Sequence, residues 1–321
     1  MSSEKFAMSF RFLISVLLLL STGGAWADSL SEWMLLEQTR INRTVDSTRI
    51  IPPDVRGQSQ KYRPESQKWY PLKAVWVPED ELNVAIERDA FDPKISDYFV
   101  RTNNGKTEYR LLVHPESEKF YESFLKKYPV DATTFRATST ASSRTVLVQA
   151  DGKNGPKFFA KLSLDVELAG VRRTIPQGEV ARSVGTSMYL HDLESRIGTD
   201  RFTHMPEPFG ISPKGWERGG MIVRQISDEI QRNETKLVPL FSLYSVDEKG
   251  KSLLQKLAAK AKLSPEDFVK RHILNPFYSG WVRWNLEGAV TMEAHAQNVL
   301  LELDSKNTPT NRFVHRDLGG F

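Results

Sequence analysis

Apolar and polar positions alternate most clearly in the middle of the chain. Phe158, Ala160, Leu162, Leu164 and Val166 interleave with Phe159, Lys161, Ser163 and Asp165, which predicts a strand over Lys157–Val166 with one apolar face. Lys161 then points away from that face. Arg144–Val148 reads as a second strand, and the linker Asp151-Gly152-Lys153-Asn154-Gly155 carries D-G and N-G turn signals, so the two predict a hairpin. The period becomes helical at Gln177, where Val180, Val184, Met188 and Leu193 mark a helix to about Ile197 with Gly198 as its stop. His204–Ile211 and Gly220–Ile226 suggest another hairpin. Leu253, Leu254 and Leu257 mark a further helix. Ser264-Pro265-Glu266-Asp267 reads as an N-cap followed by proline at the first helical position, with Phe268, His272 and Ile273 on one face. Strands over Gln297–Leu303 and Arg312–Arg316 complete the C-terminal pattern.

Upstream, Ala74–Val77 and Glu108–Val113 are strand-like, whereas Ile41–Pro71 is crowded with Arg, Gln, Ser and Pro and predicts an extended arm. Hairpins and helices without regular βαβ alternation point to the α+β class. The extreme N-terminus differs in kind. Lys5 and Arg11 precede the apolar run Phe12–Leu20, and Ala25-Trp26-Ala27 supplies an A-x-A cleavage pattern, so residues 1–27 read as a signal peptide. That run is short for a membrane span. The expected mature chain therefore starts at Asp28, spans no membrane and is periplasmic or secreted.

Composition narrows the chemistry. A chain of 321 residues with 40% hydrophobic content can build one large or two moderate cores. Lys and Arg number 44 against 40 Asp and Glu, a surplus of +4 that gives no argument for nucleic acid. The absence of cysteine removes thiol nucleophiles and thiolate metal sites, leaving any metal to carboxylates, amides and the six histidines.

Four clusters place polar and basic groups beside turns or strand ends. Ser142-Ser143-Arg144-Thr145 offers a guanidinium fork and hydroxyls suited to phosphate, although such a string alone is more often a solvated loop. Lys161, with Ser163, lies on the polar face of the adjoining strand. Arg172-Arg173-Thr174 sits just ahead of the Gln177 helix, where backbone N–H groups and positive charge can hold an anion or simply face solvent. Glu293, His295 and Gln297 alternate and would share a strand face, with Asn298 at its edge and Asp317 ending the partner strand. The carboxylates and amides among them are hard oxygen ligands suited to Mg²⁺ held with phosphate oxygens, while HExxH is absent; taken alone, the cluster reads by default as structural, with His295 a satisfied core histidine.

Taken in order, these clusters resemble the siderophore synthetases that act independently of peptide-synthetase modules, the aerobactin-type IucA/IucC family. Val113-His114-Pro115 resembles V-H-P-W-Q, with Glu116-Ser117 in place of W-Q. Ala141-Ser142-Ser143-Arg144-Thr145 resembles A-S-x-R-T. Lys161-Leu162-Ser163 followed by Arg173-Thr174 resembles the K-x-S and R-T stretch, with Ala169-Gly170 where T-S or T-N is usual. Glu293-Ala294-His295-Ala296-Gln297-Asn298 is similar to E-A-H-x-Q-N, and Arg316-Asp317-Leu318-Gly319-Gly320 to R-D-x-x-G.

The resemblance implies a cupped-hand α+β fold of fingers and palm, with the thumb reduced or absent and the palm incomplete. Its divisions would be the signal peptide 1–27, a divergent N-terminal region 28–112, a fingers-like region 113–220 and a partial palm 221–321. It implies an ATP- and Mg²⁺-dependent ligase that adenylates a citrate-like carboxylate and passes it to an amine or hydroxyl. Ser142, Arg144, Thr145, Lys161, Arg173, His295, Gln297 and Asn298 would bind nucleotide, Glu293, Asn298 and Asp317 the metal, and His295 and Arg173 would be catalytic. A homodimer is one expectation for assembly. The family works in the cytoplasm, where ATP is available, which sets that compartment against the export signal. The alternative is an exported relative that binds a citrate-like or siderophore-like anion without turnover.

Overall fold

The computed structural model describes residues 28–39, 58–152, 155–168, 171–246 and 249–320. The predicted signal peptide, the arm through residue 57, Lys153-Asn154 of the hairpin turn and Ala169-Gly170 lie outside the described residues.

Nine strands form one sheet, antiparallel at every pairing: β1 (Tyr70–Pro78), β2 (Leu82–Ile86), β3 (Val100–Asn103), β4 (Lys106–Val113), β5 (Phe135–Ser139), β6 (Thr145–Ala150), β7 (Lys157–Leu162), β11 (Phe209–Pro213) and β12 (Met221–Arg224). Their order is β2-β11-β12-β7-β6-β5-β1-β4-β3. The sheet curls, because Tyr109 of β4 stacks on Phe209 of β11 with ring centroids 5.9 Å apart although the two strands lie near opposite edges. Inside the curl Val75, Val113, Val148, Phe158, Leu162 and Ile211 form one continuous core.

A two-stranded ribbon, β8 (Leu164–Leu168) with β9 (Val171–Arg173), leaves this sheet. The second sheet has the order β10-β15-β14-β13, built from β10 (Phe202–His204), β13 (Thr235–Pro239), β14 (Val299–Asp304) and β15 (Pro309–His315), with β10 and β15 parallel. Its core is closed by Leu257, Phe268 and Trp284 from α3 (Leu253–Lys260), α4 (Pro265–Val269) and α5 (Asn275–Gly288). Two longer helices join the sheets. α1 (Ser29–Thr39) inserts Leu30, Trp33 and Met34 between Leu147 and Phe159 of the first sheet and Leu237, Leu300 and Val314 of the second. α2 (Gln177–Ile197) lays Val180 on Ile222 of β12 and Leu190 and Leu193 on the second core.

The long helix, its Gly198 stop and the Ser264 cap with Pro265 follow the sequence pattern; Ser264 Oγ accepts the Asp267 N–H at 3.0 Å. Several expectations are corrected. The predicted strand Lys157–Val166 breaks at Ser163. There Oγ donates to Gly220 O at 2.9 Å and accepts Ile175 N at 2.8 Å, turning the chain out of the sheet. His204–Ile211 is not one strand: β10 joins the second sheet, and only β11 pairs with β12. Met188 is exposed, since the buried stripe of α2 runs through the small residues Ser183 and Ser187 instead. α1 has no counterpart in the sequence reading, and the last residues of the expected arm form short 3-10 turns at Gln60–Tyr62 and Pro64–Ser66 before entering β1.

The seat of α2 depends on two glycines. A Cβ on Gly220 would lie 2.4 Å from Val180 Cγ2, and one on Gly210 2.7 Å from Val180 Cγ1. Gly220→Ala is expected to push α2 off the sheet and cost about 1–3 kcal/mol, read as a lower urea midpoint at unchanged m-value.

Candidate functional site

The β6–β7 hairpin, the start of α2 and the turn after β15 converge on one lysine. Thr145 and Lys161 are cross-strand partners, so their side chains share a face at the open end of the hairpin. Lys161 is buried, with 2% of its side chain exposed. A buried ammonium needs counter-charge, and two carboxylates supply it: Glu179 Oε1 at 2.7 Å, from the first turn of α2, and Asp317 Oδ1, from the turn after β15. Glu179 Oε1 also accepts Arg144 Nη2 at 3.1 Å. Burial alone would raise the Asp317 carboxyl, but Lys161, Arg224 and Arg144 outweigh it and hold it well below the ordinary carboxylate value.

Both loops that meet here carry non-glycine residues in the left-handed region, Ser143 at φ +63° and Asp317 at φ +73°. The first loop is closed by its own hydrogen bonds: Thr140 Oγ1 donates to Thr145 O at 2.7 Å, and Arg144 N donates to Ser142 O at 2.8 Å. Ser142 Oγ and Thr145 Oγ1 lie 3.2 Å apart. The second loop rests on α2, with Arg182 Nε donating to Gly319 O at 3.0 Å and no room for a Cβ on Gly319, 2.8 Å from Glu179 Cγ.

Arg173, at the end of β9, is half-buried, and its Nε is buried without a hydrogen-bond partner. Burial and then the nearby Arg144 lower its pKa, opposed by Asp317 and Glu179, so Arg173 shares the field of this cluster. Arg144, Lys161 and Arg173 exceed Glu179 and Asp317 by one positive charge. An orphaned guanidinium N–H, two hydroxyls and surplus positive charge fit a phosphate-bearing ligand.

Glu293–Asn298 is arranged differently from the expected strand face, because β14 begins only at Val299. The segment is a tight loop in which His295 N donates to Glu293 O at 2.9 Å and Asn298 N to His295 O at 2.9 Å. Glu293 and His295 are exposed, His295 Nδ1 accepts the Gln297 N–H at 3.1 Å, and Asn298 is buried with Nδ2 reaching Glu293 O at 3.4 Å. The loop borders the Arg316–Gly320 turn: a Cβ on Gly320 would lie 2.7 Å from Glu293 Oε2, and Arg316 Nε donates to Gln297 O at 2.9 Å. Among the described residues no three His, Asp or Glu side chains gather as a metal cage. Of the three expected metal ligands, Asp317 is paired with Lys161, while Glu293 lies against Gly320 and Asn298 is held by its own loop.

Four residues escaped the sequence reading. Glu179 looked like an ordinary acidic residue in a first helical turn, where it suits the helix dipole. Glu207 and Arg224 form a fully buried pair at 2.5 Å behind the Asp317 turn. Glu37 is buried against Arg316 at 2.5 Å. A hint lay only in charged residues set within apolar runs. His114 of the V-H-P element is structural: burial lowers its pKa to about 3, and Nε2 lies 3.1 Å from Tyr70 Oη.

The sequence matches the IucA / IucC family over residues 56–245, more than half of the chain. The chain belongs to the IucA / IucC family. That family's fold is evident among solved structures. The petrobactin biosynthesis protein AsbB from Bacillus anthracis str. Sterne is similar at a TM-score of 0.69 with 16% identity, over 89% of this chain and 52% of that one. ATP-bound aerobactin synthetase IucA from a hypervirulent pathotype of Klebsiella pneumoniae matches at 0.63 and 16%, over 91% and 59%. Aerobactin synthetase IucC from the same source matches at 0.63 and 16%, over 83% and 52%. The chain thus has the siderophore-synthetase fold and spans less than two thirds of the length of these family structures. No curated protein sequence matches it.

Asp317→Asn tests the ion cluster. The variant is expected to lose about 1–3 kcal/mol at neutral pH, less than a sealed pair would because 26% of the Asp317 side chain is exposed. A carboxyl with a depressed folded-state pKa stabilises above its unfolded value near pH ~4, and that stabilisation is lost as pH falls toward the folded value. The gap in urea midpoint between wild type and variant should be full at pH ~5 and narrow steadily toward pH ~2.

Proposed function

We propose that this chain is a ligase of the siderophore-synthetase type, which uses ATP to activate a citrate-like carboxylate for capture by an amine or hydroxyl. The observation that carries the reading is Arg173, whose buried Nε lacks a partner within the field of Arg144, Glu179 and Asp317, the cluster that also carries the Ser142/Thr145 hydroxyl pair. Bound ATP would supply the leaving group that a free carboxylate lacks, with magnesium arriving on the nucleotide. The chain's own part is electrostatic. Arg173 donates to phosphate oxygens through its unspent N–H, Ser142 and Thr145 turn their hydroxyls toward the same anion, and Arg144 offers the arm not held by Glu179. Lys161 is fixed by two carboxylates and sets the local field. His295, exposed on the neighbouring loop with its Nδ1 held by Gln297 N–H and its Nε2 3.7 Å from Glu293 Oε1, meets the ligand through Nε2 by leaving Glu293. Glu293, Gln297 and Asn298 border the nucleotide from that same loop.

A second reading, an exported relative that binds a citrate-like anion without turnover, draws support from Lys161 and Arg144, which are already neutralised by Glu179 and Asp317. Calorimetry with Mg-ATP, paired with citrate-dependent pyrophosphate exchange on residues 28–321, separates the two. The ligase reading expects micromolar to millimolar Mg-ATP binding with exchange, and Arg173→Ala is expected to weaken binding about tenfold or more. Citrate binding with neither nucleotide binding nor exchange would favour the second reading.

A further inference from the structure

The helix that opens the described chain reaches into the site from behind. Glu37, in its last turn, has no exposed surface, and its carboxylate is fully used. Oε1 accepts Arg316 Nη1 at 2.5 Å and the Trp33 indole N–H at 2.9 Å, and Oε2 accepts the backbone N–H of Ala141 at 3.1 Å. Ala141 starts the loop that carries Ser142 and Arg144. Arg316 precedes Asp317 and also donates through Nε to Gln297 O at 2.9 Å. A single carboxylate therefore ties two loops that are far apart in sequence, and through Arg316 it reaches a third. Next to it, Gln38 Nε2 donates to Thr138 Oγ1 at 2.8 Å and to Ser139 O at 3.0 Å, pinning the strand that enters the first loop.

We propose that Glu37 is the positioning residue that holds the 141–145, 295–298 and 316–320 loops as one preassembled cradle, so that α1 and not the strands alone sets its geometry. The hairpin fixes only the bases of these loops. The Ala141 loop contains Ser143 in the left-handed region and the second turn contains Asp317 likewise, conformations that persist only where surrounding contacts over-determine them. Glu37 supplies such a contact to each. Removing its charge leaves the Arg316 guanidinium buried and unpaired on that side, and the Ala141 N–H loses a charged acceptor. Both loops are then free to move independently, and Arg144 and Asp317 lose their fixed separation. The consequence for nucleotide binding rests on the ligase reading; the coupling of the loops does not.

Hydrogen–deuterium exchange on the ligand-free protein tests the coupling, with Glu37→Gln as the near-isosteric change. Amides in 141–145, 295–298 and 316–320 are expected to exchange about tenfold faster together, while the interior amides of β6, β7 and β14 keep their protection. Glu32→Gln is the control on the same helix: it breaks the 2.9 Å contact to Lys236 but touches none of these loops, and all should keep wild-type protection. Unchanged loops in Glu37→Gln would overturn the proposal. So would an equal rise across the whole first sheet, or the same loop response in Glu32→Gln, since each would mean that Glu37 only adds stability. If Glu37→Gln does not fold, Glu37→Asp, which keeps the charge but withdraws it by one methylene, goes through the same comparison. Where the wild type binds Mg-ATP, Glu37→Gln is also expected to raise Kd about tenfold although it removes none of the side chains placed on the phosphates. Failure of the wild type to bind nucleotide would remove the ligase reading and leave the exchange result to decide the loop coupling.

Discussion

A lysine ammonium buried within a sheet must be met by carboxylates, and the disposition of the rest of the molecule follows from how Lys161 is met. Its counter-charges come from Glu179 and Asp317, on a helix and a turn that belong to neither of its neighbouring strands. For Glu179 to reach it, α2 must begin close over β12, which requires Gly210 and Gly220 beneath Val180. For Asp317 to reach it, the chain after β15 must turn back sharply, with Asp317 left-handed and Gly319 pressed on the helix. One buried charge thus links the first sheet, the long helix and the last turn.

The same device recurs along the junction between the sheets. Glu207 pairs with Arg224 and Glu37 with Arg316, each with a fully buried carboxylate. Buried pairs are weak sources of net stability, because desolvation offsets most of their attraction, but breaking one is costly. Their contribution here is to choose one arrangement of the two sheets. The apolar contacts of α1 with both cores would tolerate small slips of the helix, whereas a carboxylate between a guanidinium and a backbone N–H would not. The junction is therefore soft in its packing and exact in its polar registry.

Much of the fold was legible where one period dominates. The β6–β7 pair and the Gln177–Ile197 helix follow from alternation, turn residues and a terminal glycine, signals that lie within or beside each element. What sequence periodicity could not show is where a strand changes partners. Ser163 ends its strand through hydrogen bonds with Gly220 and Ile175, and Phe202–His204 joins β15 of the other sheet, contacts that lie outside the local pattern. The site divided the same way. Arg144, Lys161 and Asp317 stood out through motif resemblance, and the structure brings them together. Glu179 and Glu37 did not, because a glutamate in an amphipathic helix looks solvated until its distant partner is known. The alternation of Glu293, His295 and Gln297 misled, for local turn hydrogen bonds had already taken that backbone out of the strand.

The charge pairing also constrains how an anion can bind. In the ligand-free arrangement Lys161 and Arg144 are already in contact with carboxylates, so an incoming phosphate gains little from them unless it outcompetes Glu179. Arg173 is different, since its Nε is desolvated and unpaired, and hydrogen bonding there recovers a desolvation cost already incurred during folding. An anion with one charged group would engage Arg173 and leave the Glu179 cluster intact. A polyphosphate has enough charge to engage Arg173 and still compete for Arg144 and the Ser142/Thr145 hydroxyls. On the ligase reading, the carboxylates around Lys161 would withhold Arg144 from a singly charged anion bound at Arg173 and yield it only to a ligand whose charge extends across both arginines.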